Sequence, residues 1–427
     1  MTGKRAWRIV LGLALLAVAG IAVLFIADAG DAKPITPTAL TPEAKAAQVE
    51  HGRYLVVAGD CVACHTRPGG APFSGGLALL TPFGKVYSPN ITPDKETGIG
   101  DWSATDFYRA LHLGKDPHKA NLYPAFSYPY YTKISPRDAE AMAAYMMSLT
   151  PVKYAPPKNE MNFPFNIRFL VKGWNLLHFR PGHFRADPSK SAQWNRGAYL
   201  VKGLGHCGAC HTPKNILFGD KGGQALQGGV VEHWLASDIT SDETRGIGKW
   251  SEEEITQFLK TGSNAHAIAY GTMVDVIKNS TSQMTDADLA AIAVYLKSVP
   301  AGSKPASAPK PPAAVMTAGQ AVYAKECGDC HLEDGAGIPE LYTPLAGNHN
   351  LNVADPTSTI RILLNGQENA FSGEGMPDYA KLSDKEIAAA ATYIRNSFGN
   401  AAPVVTEAEV AKLRALTVKP KVKVAAK

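Results

Sequence analysis

This sequence is short of the side-chain arrangements that make a protein a catalyst in its own right. No nucleophile–base constellation, Gly-rich phosphate loop or paired-carboxylate pattern stands out along its 427 residues. Hydrolysis, phosphoryl transfer and acid–base chemistry by its own groups therefore have no support. Cysteine is scarce, at six residues, and none is left over once one spacing has been accounted for. The formal net charge of +5 also misleads. Lys4, Arg5, Arg8, Lys419, Lys421, Lys423 and Lys427 place seven positive charges at the two ends, in stretches without an acid, which leaves the rest at about −2. Basic tips of this kind are not a basic patch, and nucleic-acid binding gets no support.

What the chain does hold is a five-residue unit in three copies. They are Cys61-Val62-Ala63-Cys64-His65, Cys207-Gly208-Ala209-Cys210-His211 and Cys327-Gly328-Asp329-Cys330-His331. Cys-x-x-Cys-His is the pattern of covalent c-type haem attachment. Two thiols about one helical turn apart can each form a thioether to a haem vinyl group. The histidine behind them then lies under the iron, where a neutral imidazole serves as proximal ligand. A lone Cys-x-x-Cys could be half a zinc site or a redox dithiol. Six cysteines all in this unit, each pair followed by histidine, argue instead for three haem groups. The histidines stand 211 − 65 = 146 and 331 − 211 = 120 residues apart, which fits three small haem domains with connectors.

Residues 9–27, Ile9 to Ala27, carry no charge and follow Lys4, Arg5 and Arg8. As a helix they span about 28 Å, at ~1.5 Å per residue, the thickness of a bilayer core. Positive charge before the run puts that end in the cytoplasm and everything after it outside. The competing reading is a cleaved signal peptide, with Ala27-Asp28-Ala29 as a small-x-small site. The run is longer than a usual signal core, so the expectation is a retained transmembrane helix within an anchor at residues 1–30.

Three helices lead into the haem units, over Pro42 to Ala58, Gln193 to Leu204 and Thr317 to Lys325. They carry Gly52/Tyr54, Gly197/Tyr199 and Gly319/Tyr323. Three more close the repeats, over Pro136–Leu149, Asp286–Val299 and Asp384–Phe398, with Tyr145, Tyr295 and Tyr393. Glycine on one helix opposite an aromatic on its partner lets two helices cross closely. Further repeated stretches are Asn90-Ile91-Thr92-Pro93-Asp94 with Thr97-Gly98-Ile99-Gly100-Asp101-Trp102, echoed by Asp238-Ile239-Thr240-Ser241-Asp242 with Gly246-Ile247-Gly248-Lys249-Trp250. With Leu122-Tyr123-Pro124-Ala125-Phe126 and Phe398-Gly399-Asn400, this order resembles the membrane-bound tri-haem cytochrome c subunits of bacterial alcohol, gluconate and aldehyde dehydrogenases.

The resemblance covers about residues 45–412. It implies an all-α chain of three tandem class I cytochrome c domains behind one N-terminal transmembrane helix. The domains are placed at 42–150, 192–300 and 316–412. An apolar connector lies at 151–191, a Pro/Ala-rich linker at 301–315 and a basic tail at 413–427. The connector, with Phe163-Pro164-Phe165-Asn166-Ile167-Arg168 and Trp174-Asn175-Leu176-Leu177, is read as a docking helix between haem domains, with a partner subunit or the membrane surface as alternatives.

In this fold the second iron ligand is a methionine from the loop before the last helix, and methionine raises the haem potential. Met376, in Gly375-Met376-Pro377, and Met273, in Gly271-Thr272-Met273, take that place, and Met284 is read as packing. The first domain departs from the pattern, having Phe126 there. Met147 is preferred, as in relatives that carry this phenylalanine, with Met142, Met146, Met161, His112 and His118 as alternatives. On the other side, each iron-bound histidine needs a carbonyl acceptor for its second ring nitrogen. In the third domain Pro344 is the expected one. His51, His178, His183, His206, His233, His266 and His349 are expected to be surface or satisfied core residues.

The expected function is electron transfer without catalysis of its own. Electrons from a periplasmic dehydrogenase subunit would pass through three covalent haem c groups to ubiquinone or a terminal oxidase, on the periplasmic side of the bacterial inner membrane. The catalytic subunit would carry molybdopterin, pyrroloquinoline quinone or flavin. Resemblance of Pro124-Ala125-Phe126 and of the 163–168 stretch leans towards a molybdenum-type aldehyde or N-heterocycle dehydrogenase, ahead of quinoprotein alcohol and flavoprotein sugar dehydrogenases. A terminal-oxidase subunit and a stand-alone haem peroxidase are the readings from other classes.

Overall fold

The computed structural model describes residues 31–417, apart from 37–39, 304–307 and 369–374. These residues fall into two compact units, one of 31–56 and 64–185, the other of 57–63 and 186–417.

Each repeat is built on the same plan. In the first, α1 (Pro42–Ala58) leads to the one-turn α2 (Cys61–Cys64), and β1 (Ala78–Thr81) pairs antiparallel with β2 (Gly84–Tyr87). Then come α3 (Ala104–Leu113), α4 (Tyr128–Tyr131) and α5 (Pro136–Ser148). Strand β3 (Glu160–Met161) adds to β2, and α6 (Val171–His178) lies in the connector. The second repeat has α7 (Ala192–Tyr199), a π-turn at Leu200–Leu204, α8 (Gly208–His211), the hairpin β4 (Gln227–Val231) with β5 (Trp234–Asp238), then α9 (Glu252–Thr261), α10 (Thr272–Asn279) and α11 (Asp286–Lys297). The third has α12 (Ala313–Glu326), α13 (Gly328–His331), α14 (Thr357–Asn365), β6 (Gln367–Glu368) paired with β7 (Gly375–Met376), α15 (Asp384–Ile394) and α16 (Glu407–Thr417).

The helix crossing expected from the glycine and tyrosine pairs is present three times, with one geometry. A Cβ built on Gly52 would stand 1.8 Å from the Ala141 carbonyl oxygen; on Gly197 it would stand 1.8 Å from that of Ala291, and on Gly319 2.2 Å from that of Ala389. The first helix of each repeat thus rests its backbone on that of α5, α11 or α15. Tyr295 and Tyr393 flank the contact, their Cβ atoms 2.9 and 2.6 Å from the imagined Cβ of Gly197 and Gly319.

The helices after the repeated Gly-x-Gly-x-Trp stretches begin and end alike. Ser103 caps α3 and Ser251 caps α9, each accepting from the N–H three residues on, while Asp106 and Glu254 reach back to the cap. Gly114 and Gly262 end these helices at φ +62° and +81°, a left-handed turn that suits glycine. In the third repeat α16 completes a core in which Ile360, Leu364, Ile387, Ala391 and Val410 are buried. Its Arg414 donates to Asp384 at 2.7 Å.

The expected fold class is corrected on two counts. The chain is not all-α, because the described residues contain seven short strands. The longest hairpin turns through Glu232 and His233, both at positive φ (49° and 61°), a mirror-type turn whose twist matches the strands but whose residues are not the usual Asn-Gly signal. Among the described residues no helix is long and apolar enough to cross a membrane. The span expected at 9–27 lies outside the described residues, as do the last ten residues of the expected basic tail.

Between the second and third repeats, within one unit, the Trp250 indole stacks on His266 (centroids 5.4 Å, 12°) and meets the edge of His349 (5.4 Å, 83°). Burial, with His266 nearby, pushes His349 down to about 4. The unfolded chain takes up that proton near its ordinary 6.5, so folding loses stability as pH falls from about 6.5 to about 4. The loss attributable to this group should reach roughly 3 kcal/mol. Denaturant melts at pH 7 and pH 4 test this: His349→Gln should flatten the dependence, and an unchanged slope would refute the assignment. At the helix crossing, Gly197→Ala should cost about 1–3 kcal/mol or more from overpacking. Gly222→Ala, where nothing lies within 4 Å, should be near neutral. Equal melting temperatures for the two variants would refute the close-contact argument.

Candidate haem-attachment sites

The three Cys-x-x-Cys-His units each form a single helical turn directly after the first helix of a repeat. That turn brings both cysteines to one side, with the histidine one step further on. The histidines share a second feature. His65 Nδ1 lies 2.8 Å from the Pro89 carbonyl oxygen, His211 Nδ1 2.7 Å from that of Ser237, and His331 Nδ1 3.0 Å from that of Thr343. Each Nδ1–H therefore donates to a backbone carbonyl, which fixes the tautomer and leaves Nε2 to a metal. Burial holds all three imidazoles below their ordinary pKa, hence neutral and able to ligate.

Thr343 corrects the expectation for Pro344. The carbonyl used is that of the residue before the proline, and Pro344 O instead accepts from Asn348 Nδ2 at 2.8 Å. The same offset explains the repeated Asn90-Ile91-Thr92-Pro93-Asp94 and Asp238-Ile239-Thr240-Ser241-Asp242 stretches. Pro89 and Ser237 stand immediately before them. Asn90 Oδ1 accepts from the Thr92 N–H at 2.9 Å, and Asp238 Oδ1 from the Thr240 N–H at 2.8 Å. These side chains bend the backbone behind the carbonyl and hold it on the histidine. The repeated motif is a proximal support, and its place one residue after the acceptor is the signal by which Pro89 and Ser237 could have been found.

In the third repeat the residues enclose a cavity. Cys327, Cys330, His331 and Met376 line it together. Leu345, Leu351, Ile362 and Leu363 supply apolar wall. Two thiols, an imidazole and a thioether around an apolar slot fit a covalent haem with histidine and methionine on the iron. Burial pushes the Cys327 thiol up to about 11, which keeps it protonated until it is attached. Among the described residues no group of three His, Cys, Asp or Glu side chains could hold a bare metal ion.

The other distal candidates are placed as follows. Met376 is in β7, opposite Gln367 of β6, whose side chain donates to Ala269 O at 2.8 Å. Met273 is partly buried in the first turn of α10, just after Gly271 at φ +58° beneath the Trp234 indole. Met284 is buried. In the first repeat Phe126 packs against Tyr131, with centroids 5.4 Å apart. Met147 is partly buried on α5, whereas Met142 and Met146 are fully buried. Met161 belongs to β3, and His118 is exposed. The His112 ring stacks between Tyr108 and His183, with its Nδ1 2.8 Å from Thr132 O. The connector helix α6 packs on the first repeat, Tyr128 donating to Asn175 at 2.5 Å, and leaves Phe163 and Leu177 exposed.

Residues 49–150 match the family model described as cytochrome c, and residues 314–394 match that described as cytochrome c oxidase, cbb3-type, subunit III. The chain is 38% identical over 405 residues to the cytochrome c subunit of the quinone alcohol dehydrogenase of Gluconacetobacter polyoxogenes, covering 89% of this chain and 86% of the relative. It is 39% identical over 407 residues to the gluconate 2-dehydrogenase cytochrome c subunit of Pantoea cypripedii, covering 87% and 90%. It is 41% identical over 381 residues to a subunit of the nicotinate dehydrogenase of Pseudomonas putida, covering 86% of this chain and 31% of that longer protein. Alignment to the first two of these relatives over nearly their full length, together with haem-attachment units on matching folds, shows that the chain belongs to the family of cytochrome c subunits of dehydrogenases, electron-transfer proteins with covalent haem c and no catalytic role of their own.

Proposed function

We propose that this chain holds three haem c groups and relays single electrons along them from a partner dehydrogenase to ubiquinone or a terminal oxidase, on the periplasmic side of the bacterial inner membrane. Cys61 and Cys64, Cys207 and Cys210, and Cys327 and Cys330 would hold the haems through thioethers, each thiol adding its S–H across a haem vinyl group. His65, His211 and His331 would hold the irons from one side, and Met273, Met376 and Met147 would supply the second ligand. The haem supplies a one-electron couple. The chain's own part is to hold a neutral imidazole on one side, close the other with a thioether and keep the walls apolar.

The observation that carries the three-haem reading is the threefold Nδ1-to-carbonyl bond, made at 2.7–3.0 Å by the same step of the motif each time. The partner carries molybdopterin, pyrroloquinoline quinone or flavin, since relatives are named for alcohol (quinone), gluconate, fructose and nicotinate dehydrogenases. Among these the molybdenum type that oxidises aldehydes or N-heterocycles comes first, because nicotinate is an N-heterocycle and the match to the nicotinate dehydrogenase chain reaches 41%. One observation favours a second reading, a terminal-oxidase subunit: residues 314–394 match the cbb3-type oxidase subunit III model.

Met376→Ala and Met273→Ala should each leave haem content unchanged, remove methionine-to-iron absorption from one haem and lower that haem's potential. Methionine still on every iron in either variant would sink the assignment. A mild-detergent pull-down of the full chain, with cofactor analysis of its companions, tests the partner. A large subunit with molybdopterin, pyrroloquinoline quinone or flavin is expected, and a copper–haem oxidase in its place would transfer the chain to the second reading.

A further inference from the structure

Strand β5 faces two haem positions at once. From its backbone, the Ser237 carbonyl accepts from His211 Nδ1 at 2.7 Å. From its side chain, the Ser237 hydroxyl donates to Asn350 Oδ1 at 2.6 Å. Asn350 lines the cavity that contains Cys327, Cys330, His331 and Met376. A single serine thus joins the proximal ligand of the second attachment unit to the wall of the third.

The strand is held there by its neighbours. The Leu235 N–H donates to Ser358 Oγ at 2.7 Å, and the Leu235 carbonyl accepts from the Tyr270 hydroxyl at 3.0 Å. Ser358 and Tyr270 line the same cavity. The Arg361 guanidinium covers the Trp234 ring at 3.7 Å and donates to Glu232 O at 2.7 Å. These contacts, from Trp234 and Leu235 of the strand and Glu232 of the turn before it, hold the strand beside the third cavity within one compact unit.

We propose that Ser237 and Asn350 form the coupling bridge between the second and third haem sites, and are positioning residues for electron exchange between them. The inference rests on the three-haem reading above. Electron tunnelling decays more slowly along covalent and hydrogen bonds than across a gap. The route here runs from the His211 imidazole through Nδ1–H to the Ser237 carbonyl, along Cα, Cβ and Oγ–H, and into the Asn350 amide at the next cavity. Each event moves one electron: the iron on one side goes from ferrous to ferric as the other goes from ferric to ferrous. No proton moves and no bond breaks, so no co-reactant is required. The hydroxyl is the weak point of the route, because the carbonyl that orients His211 belongs to the backbone and survives any side-chain change.

The test uses the purified full-length chain, with covalent haem counted first by pyridine haemochrome. Pulse radiolysis then follows redistribution of one electron between haems. Ser237→Ala and Asn350→Ala should each slow exchange between the second and third haems several-fold. Ser237→Thr should restore the rate. The double variant Ser237→Ala/Asn350→Ala should be no slower than either single, as two breaks in one route are not additive. Reduction potentials and the iron–histidine vibration of the second haem should stay at wild-type values, which a loosening of the fold would not permit. Wild-type exchange in Ser237→Ala with three haems bound overturns the bridge and leaves the three-haem reading standing. A rate loss that tracks a shifted potential also overturns it. Fewer than three haems on the wild-type chain overturns both. If Ser237→Ala fails to take up haem, Asn350→Ala decides, since Asn350 lies outside the second attachment loop.

Discussion

Each repeat depends on a helix crossing in which a single Cβ has no room. Gly52, Gly197 and Gly319 put backbone against the carbonyls of Ala141, Ala291 and Ala389. Because the attachment unit follows within a few residues of the helix that carries the glycine, and after the π-turn at Leu200–Leu204 in the second repeat, this contact helps set where the cysteines and histidine emerge. A larger residue would lever the two helices apart, and the displacement would pass undamped into the following turn, since close-packed interiors transmit strain. The tyrosines beside the crossing fill the flanks that the missing side chain leaves.

The proximal side inherits this rigidity. A loop bent by Asn90 or Asp238 presents the carbonyl of the residue before it, and the imidazole on the attachment turn meets that carbonyl at hydrogen-bond distance. Two short-range devices, a close helix pair and a side-chain-bent loop, thus converge on one histidine. The capped helices α3 and α9 anchor the far ends of the first two loops through Ser103 and Ser251. Such local elements fold the same way wherever the sequence repeats, which is how one arrangement can recur at residues 65 and 211.

Much of this was legible in the sequence because it is local. The attachment units, the glycine and tyrosine pairs and the helices that close the repeats all mark themselves by residue type at short spacing. Residues that act through their backbone do not. Pro89, Ser237 and Thr343 offer carbonyls, and any residue has one, so only the motif behind them points to the place. The shift from Pro344 to Thr343 has the same origin: proline favours an extended residue before it, and that residue's carbonyl turns out of the chain path. The β4–β5 hairpin escaped for want of a turn signal, Glu232 and His233 taking positive φ without being Asn or Gly. The helix α12 begins at Ala313, earlier than Thr317, because the alanines of the linker are good helix formers and Pro312 sits just outside the first turn, where its missing N–H costs nothing.

The distal side follows a different logic. Met376 stands in a short strand pinned through Gln367 to Ala269, Met273 opens a helix under Trp234, and the first repeat places Phe126 against Tyr131 where the others have methionine. Three constructions on one side face a single repeated construction on the other. A proximal imidazole has one task, to be neutral and correctly aimed, so a common solution serves every site. The distal ligand and its surroundings set the potential, and a relay gains from sites that differ in it. The divergence thus lies on the side where the ligand sets the potential, and the shared construction on the side where only aim and neutrality matter.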